Sequence, residues 1–191
     1  MGEFFSPPIK RETAMNATTK ELTRVQRENG KYNLITENDK LLLDKWYEWI
    51  GIWSEGFARV RREDNLYNFI NKDGKIISEQ WYDFVGDFSD GLALVEALVE
   101  RENPQFNYIN TEGKIISDEW FRWVDFFRDG IARVQREDYS YNLIDKKGKI
   151  LSDEWFEWID DFDKYGLAIV YRKNGEKCKI DNTGRIVGLS K

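Results

Sequence analysis

The side chains able to do chemistry in this chain are numerous but serial. Carboxylates open two tryptophan-rich segments, as Asp118-Glu119 and Asp153-Glu154, and could draw in a cation. Acids in the first turn of a helix offset the helix dipole and explain the same residues more simply. There are 35 Asp and Glu, each in a class that recurs along the chain, so no pair stands apart as a general acid and its base. Histidine is absent, which removes the usual base of a serine or cysteine triad and the commonest neutral metal ligand. The single thiol, Cys178, lies between Lys177 and Lys179, neighbours able to lower its pKa, but nothing in the sequence pairs with it. Neither glycine-rich phosphate-binding signature occurs. This inventory points away from an enzyme and calls for no cofactor and no metal.

What recurs instead is aromatic. Trp46, Trp81, Trp120 and Trp155 each lead a phrase with apolar residues at offsets 3, 4 and 7, such as Trp158, Ile159 and Phe162 behind Trp155. Gly56, Gly91, Gly130 and Gly166 keep the same ruler, as do the turn glycines Gly74, Gly113, Gly148 and Gly184. A fixed period of this length marks a repeat array, which builds a long binding surface rather than a one-off catalytic constellation. Residues 1–20 do not fit the repeat and read as a flexible or capping N-terminal segment. A single repeat domain spans 21–191, in units 21–55, 56–90, 91–129 and 130–165 and a partial capping unit 166–191. Glu21 and Asp39 replace the two glycines of the first unit, and the third carries four extra residues placed near Leu94 to Ala97. The last puts Lys177, Cys178 and Lys179 where earlier copies have an aromatic, Asn and an apolar residue, the polar replacement a terminal cap needs.

The first stretch of each unit reads as a half-buried strand, and the second, 141–151 in the fourth unit, as a hairpin around its glycine. The third stretch follows one face of an α-helix of about two to three turns, held by packing rather than propensity. Ser78, Ser117 and Ser152 are its expected N-caps; a twisted strand with a bulge is the other reading. The expected fold class is a mainly β repeat protein, a solenoid-like array of β-hairpin units each with a short Trp-rich helical segment, or alternatively a propeller-like closed array. All eight Trp lie in these segments and are assigned to the core, against an exposed sugar- or choline-binding array. On the helical wheel the next residue, Tyr47, Tyr82, Phe121 or Phe156, falls about 100° away at a partly exposed edge. With Glu48, Asp83 and Glu157 on the wet side, these aromatics form the expected partner-binding strip, packing against a neighbouring hairpin being their competing fate. Asn33, Asn68, Asn107 and Asn142 are expected to make hydrogen-bonded ladder or turn contacts.

A hydrophobic content of 41% with 34% charged residues excludes general disorder. The net charge of −6 hides a division: windows 43–55, 78–90, 117–129 and 152–164 carry −13, and the remainder +7. Stacked like on like, they would form an acidic ridge and a basic ridge with Arg27, Arg62, Arg101 and Arg136. Pairing of these charges across neighbouring units is favoured over that segregation. No apolar run approaches membrane-spanning length, no signal-like N-terminus is present, and one cysteine allows no internal disulfide, so a cytoplasmic location is expected.

The frame Gly130-Ile131-Ala132-Arg133-Val134, then Ile144-Asp145-Lys146-Lys147-Gly148-Lys149, with Phe88-Ser89-Asp90-Gly91 closing a unit, resembles the bacterial WG repeat family, also called KWG repeats, over roughly residues 21 to 191. The name-giving Trp-Gly stands here as Tyr32-Asn33, Tyr67-Asn68, Phe106-Asn107 and Tyr141-Asn142, a Tyr/Phe-Asn variant. The resemblance implies β-hairpin repeats used as interaction modules and carries over no catalytic residue.

Three function classes follow. A non-catalytic protein-interaction scaffold working through a repeated aromatic and acidic surface accounts for most of these features and leads. A carbohydrate or cell-wall binding module explains the aromatic abundance but expects solvent-facing Trp. An acidic inhibitor imitating nucleic acid fits the −13 segments but not the basic stretches between them. The expected partner is another protein, with carbohydrate second; direct nucleic-acid binding and membrane association are not expected.

Overall fold

The structure, a computed structural model, describes residues 10–12, 22–97 and 104–189. The expectations for Glu21 and Arg101, and for 1–9 and 13–20 of the N-terminal segment, lie outside the described residues. The described residues are strand, turn and loop, with no helix among them, so none is long and apolar enough to cross a membrane.

The chain divides into two compact units, described separately. Unit 1 comprises Met1–Val95 with Asn110–Lys114. It holds the antiparallel sheet β1 (Lys10–Glu12), β2 (Thr23–Gln26), β3 (Tyr32–Ile35), and the sheet β4 (Trp49–Ser54), β5 (Phe57–Arg61), β6 (Tyr67–Asn71). It also holds β7 (Phe84–Val85) and most of β8 (Leu92–Glu96). Unit 2, Glu96–Ile109 with Ile115–Lys191, contains most of β9 (Phe106–Asn110). Its two sheets are β10 (Trp123–Val124), β11 (Ile131–Gln135), β12 (Tyr141–Asp145), and β13 (Trp158–Ile159), β14 (Leu167–Tyr171), β15 (Lys177–Asp181), β16 (Ile186–Leu189).

Alternation drives the strands. Ala58 and Val60 of β5 are buried while Phe57, Arg59 and Arg61 stay partly open, the period-two pattern of a sheet with one covered face. Consecutive left-handed residues, Glu55-Gly56 and Asp129-Gly130, form the two-residue turns that match strand twist. Each sheet is staggered against the sequence repeat: its outer strand comes from the tail of one sequence unit, its hairpin from the next. Thus Trp49 pairs with Arg61 and Arg61 with Tyr67, and Trp123 with Gln135 and Gln135 with Tyr141. In the first sheet β1 fills that outer place, with Lys10 opposite Gln26.

The expected helical segment is a correction. Its backbone bonds outward, not along a helix: Tyr82 N donates to Tyr67 O at 3.0 Å and Tyr67 N to Tyr82 O at 2.8 Å. A helix of two or three turns is marginal in water, and pairing with the hairpin satisfies the same groups. The serines turn the chain rather than cap a helix: Ser78, Ser117 and Ser152 Oγ accept from the N–H two residues on, at 3.2, 3.2 and 3.3 Å. The four extra residues of the third unit lie a few positions later than Leu94 to Ala97, with the flanking strands kept in register. Ala97 N donates to Gln105 O, where Arg62 bonds Leu66 and Arg136 bonds Ser140, so the extra length falls between Ala97 and Gln105.

Buried side chains gather around one face of each hairpin. In unit 1 they include Leu34, Ile50, Val60 and Ile70; in unit 2, Leu143, Phe156, Ile159, Val170 and Ile180. Cys178, on the Asn row of the last hairpin, is fully buried, and desolvation pushes its thiol pKa up, the reverse of the lowering expected from Lys177 and Lys179.

Candidate functional site

Four buried asparagines suspend the loops that carry the tryptophans. Asn33, Asn68, Asn107 and Asn142 are each 0% exposed. Asn68 Nδ2 donates to Ser78 O and Gln80 O, both at 2.8 Å; Asn142 Nδ2 donates to Ser152 O at 2.9 Å and Glu154 O at 3.0 Å. Asn33 and Asn107 do the same at the matching carbonyls. Each asparagine thereby satisfies a bend that has no strand partner. These residues serve the scaffold, as turn contacts.

Beyond the bend the loop inverts the expected placement of its aromatics. Tyr47, Tyr82, Phe121 and Phe156 are buried, at 7%, 1%, 0% and 0% exposure, so they cannot form a partner-facing strip. The reason is geometric: without a helix there is no 100° step, and each bridges to Tyr32, Tyr67, Phe106 or Tyr141 with its ring turned inward. Burial raises the Tyr82 hydroxyl pKa against the lowering effect of Ser78. Of the acids, Asp83 and Glu157 are exposed, whereas Glu48 is half-buried, 3.7 Å from Lys31.

The lead tryptophans are half-buried, and three of them, Trp46, Trp81 and Trp155, lie under guanidinium groups. Arg27, Arg62 and Arg136 lie 3.9, 4.1 and 3.6 Å from the ring centroids of Trp46, Trp81 and Trp155. Arg136 also grips Glu119 through Nη2 at 2.9 Å, and Arg172 grips Glu154 at 2.8 Å through Nε and Nη2. The acidic and basic stretches therefore pair with each other at these positions of unit 2.

Beside more exposed single residues such as Ile52, Phe126 and Tyr165, each unit leaves partly open the aromatics three positions after its lead Trp residues. Phe84, Trp123 and Trp158 are 43%, 39% and 41% exposed, and Trp49 is half-buried. The 0, 3, 4, 7 pattern missed this row because it assigned these rings to the core. The alternation of β5, which turns Arg59 and Arg61 outward beside Trp49, is the signal that could have found it.

In unit 1 Trp49, Arg59, Arg61, Tyr67, Phe84 and Val85 line a cleft of about 330 Å³. Trp49 meets Tyr67 edge-on with centroids 6.5 Å apart. Its indole lies across Gly51, where a Cβ would come within 2.6 Å of the ring. Arg59 reaches Val85 O at 3.3 Å, and its Nε lies 2.8 Å from Asp87 Oδ1. In unit 2 Pro104, Arg122, Trp123, Gln135, Tyr139 and Tyr141 line a cleft of about 380 Å³. There Tyr141 meets Trp123 and Trp158 edge-on at 6.1 and 5.1 Å, making a run of three rings. Trp158 is oriented by its Nε1–H donating to Asp160 at 2.9 Å, and Arg133 reaches Ile159 O at 3.0 Å. Each cleft thus offers aromatic edges and faces on a strand scaffold fixed from beneath. Among the described residues no group of three or more Cys, Asp or Glu is arranged to hold a metal.

No curated protein sequence matches the chain significantly. Among solved structures, the chain is similar to BamB from Moraxella catarrhalis, at 8% identity and a TM-score of 0.36, over 89% of this chain and 61% of that one. It is also similar to the computationally designed Ika8 protein, at 13% and 0.40 over 89% and 58%, and to the WD40 beta propeller domain of Doa1, at 9% and 0.34 over 93% and 71%. The chain spans about three fifths of the first two. The profile of the WG containing repeat matches four times, over 34–67, 69–97, 108–139 and 143–176, well over half of the sequence, and on that ground the chain belongs to the WG-containing repeat family.

Proposed function

We propose that the protein is a non-catalytic scaffold that captures a segment of a partner protein on the half-exposed aromatic row. The run Trp123, Tyr141, Trp158 carries this reading: three rings held by a hairpin, two of them about two fifths exposed, where a soluble fold gains nothing by leaving them open. Rigid aromatics at a partly wet edge give contact area at low entropic cost. The exposed acids Asp83 and Glu157, next to Phe84 and Trp158, supply a polar rim. The rings meet edge-on, with interplanar angles of 73° and 78°, which breaks the flat platform a sugar ring would stack on and favours protein over carbohydrate. The carboxylates of Glu119 and Glu154 are engaged by arginine, which weakens a reading as a nucleic-acid mimic. The buried, unpaired Cys178 fits the expected cytoplasmic setting.

The test is capture by cross-linking in the source cell, with Trp123→Ala plus Trp158→Ala as the variant. A protein partner retained by the parent and lost by the folded double variant is the expected result. Undiminished capture, or binding to a glycan array that depends on Trp123 and Trp158, would overturn it.

A further inference from the structure

Resting on that reading, we propose that the unit 1 cleft is the anchor for one carboxylate of a partner peptide, with an aromatic side chain of that peptide seated between Trp49 and Phe84. The carboxylate is read from Arg61. This side chain stands between Trp49 and Tyr67 on adjacent strands and lines the cleft. Its Nε is shut off from water without a hydrogen-bond partner, and no described carboxylate neutralises it. What sets Arg61 apart is its charge: Arg59, whose Nε likewise lacks a hydrogen bond, is ion-paired with Asp87 at 2.8 Å and donates to Val85 O, and Arg62 is paired with Asp64 at 2.6 Å. The buried Nε holds the stem in place, and the two terminal amino groups of a guanidinium make an end-on fork that matches a carboxylate in two parallel bonds. The aromatic partner is read from the walls, since Trp49, Tyr67 and Phe84 surround the fork with ring edges and faces.

The row's charge pattern selects a peptide over a polyanion. Five residues after each strand-leading glycine the residue is Arg61, Glu96, Gln135 and Tyr171 in turn. A ligand dense in negative charge, such as single-stranded nucleic acid, would find a favourable position of this class at Arg61 alone, on a chain of net charge −6. A peptide with a single acid beside an aromatic residue meets only the favourable one.

The probes are two capped peptides, acetyl-Gly-Asp-Trp-Gly-amide and the same peptide with Asn for Asp, titrated into the ¹⁵N-labelled full chain. The readout is the Trp49 indole resonance, identified by its loss in Trp49→Phe. The Asp peptide is expected to bind on the order of tenfold more tightly than the Asn peptide, the increment of one charge-assisted bond. Arg61→Gln should bring both to the weaker value. Equal binding of the two peptides to the parent overturns the carboxylate anchor and leaves the aromatic-row reading standing. Failure of both to shift Trp49, Trp123 or Trp158 overturns both. Displacement of the Asp peptide by oligothymidylate, with affinity falling steeply as salt rises, would overturn the peptide assignment in favour of nucleic acid.

Discussion

A Cβ placed on Gly148 would fall 1.6 Å from the carbonyl oxygen of Ile116, so the hairpin turn of one repeat touches the backbone of the repeat before it. Gly113 meets Ile77 O in the same way, at 1.7 Å. These turn glycines are needed twice, for a left-handed φ of +84° and +79° and for the room to approach. Gly130 has the same φ of +84° but open space around it. Gly130→Ala should therefore cost only the left-handed penalty of about 1–2 kcal/mol. Gly148→Ala adds a displaced backbone and should exceed about 3 kcal/mol. Urea unfolding of the two variants checks the order, and equal losses would show that the close approach carries no energy.

Asn142 should be worth more than its size suggests. Asn142→Ala strands the carbonyls of Ser152 and Glu154, and a loss of about 2–3 kcal/mol is expected from one buried and one part-buried acceptor. Asn142→Asp should be worse at pH 7 than at pH 4, because a buried carboxylate between two carbonyls is tolerated only when protonated. A pH-independent loss in denaturant melts would count against this account.

Neighbouring aromatics should behave oppositely. Phe156 is fully buried, and Phe156→Ala should cost about 3–5 kcal/mol. Trp158, at 41% exposure, should cost about 1 kcal/mol or less when truncated in thermal melts, because its ring is already half in water. A reversal of this order would place the Trp158 ring in the core after all.

Asp138 offers a titration. The Ser140 hydroxyl, then the Ser140 N–H and Lys173, hold its carboxyl down to about 2. A depressed folded pKa stabilises the fold above the ordinary carboxylate range, and that contribution is lost as pH falls from about 4 towards 2. Ser140→Ala should raise the Asp138 pKa towards its ordinary value in a side-chain carboxyl NMR titration, and an unmoved value would remove the hydroxyl as the main cause.

The repeat and its hairpins were legible in the sequence because glycine spacing and alternation are local signals. Gly113 and Gly148 report a turn whether or not the neighbouring repeat is known, and Ala58 and Val60 report a covered face. The Trp segment was not legible, because its apolar spacing is shared by a helix and by a strand entered through a bend. What decides between them is distant: Asn68 reaching Gln80, twelve residues on, and Tyr67 pairing with Tyr82. The aromatic row was lost with the helix, since the wheel put Trp158 inside and Phe156 at the edge where the strand does the reverse. Arg136 over Trp155 was likewise hidden, as cation and ring lie nineteen positions apart.

The stagger between sheet and sequence repeat has a consequence for how such a chain can grow. Duplicating one whole period, such as 130–165, copies a hairpin together with the outer strand that the next hairpin needs. Every new copy arrives with one edge to receive and one to give, and no existing pairing is broken. Cutting at a period boundary separates an outer strand from the hairpin it was made for. Copy number is therefore free to drift by whole periods, while the ends need their own substitutes, and Lys10–Glu12 against β2 is one such substitute.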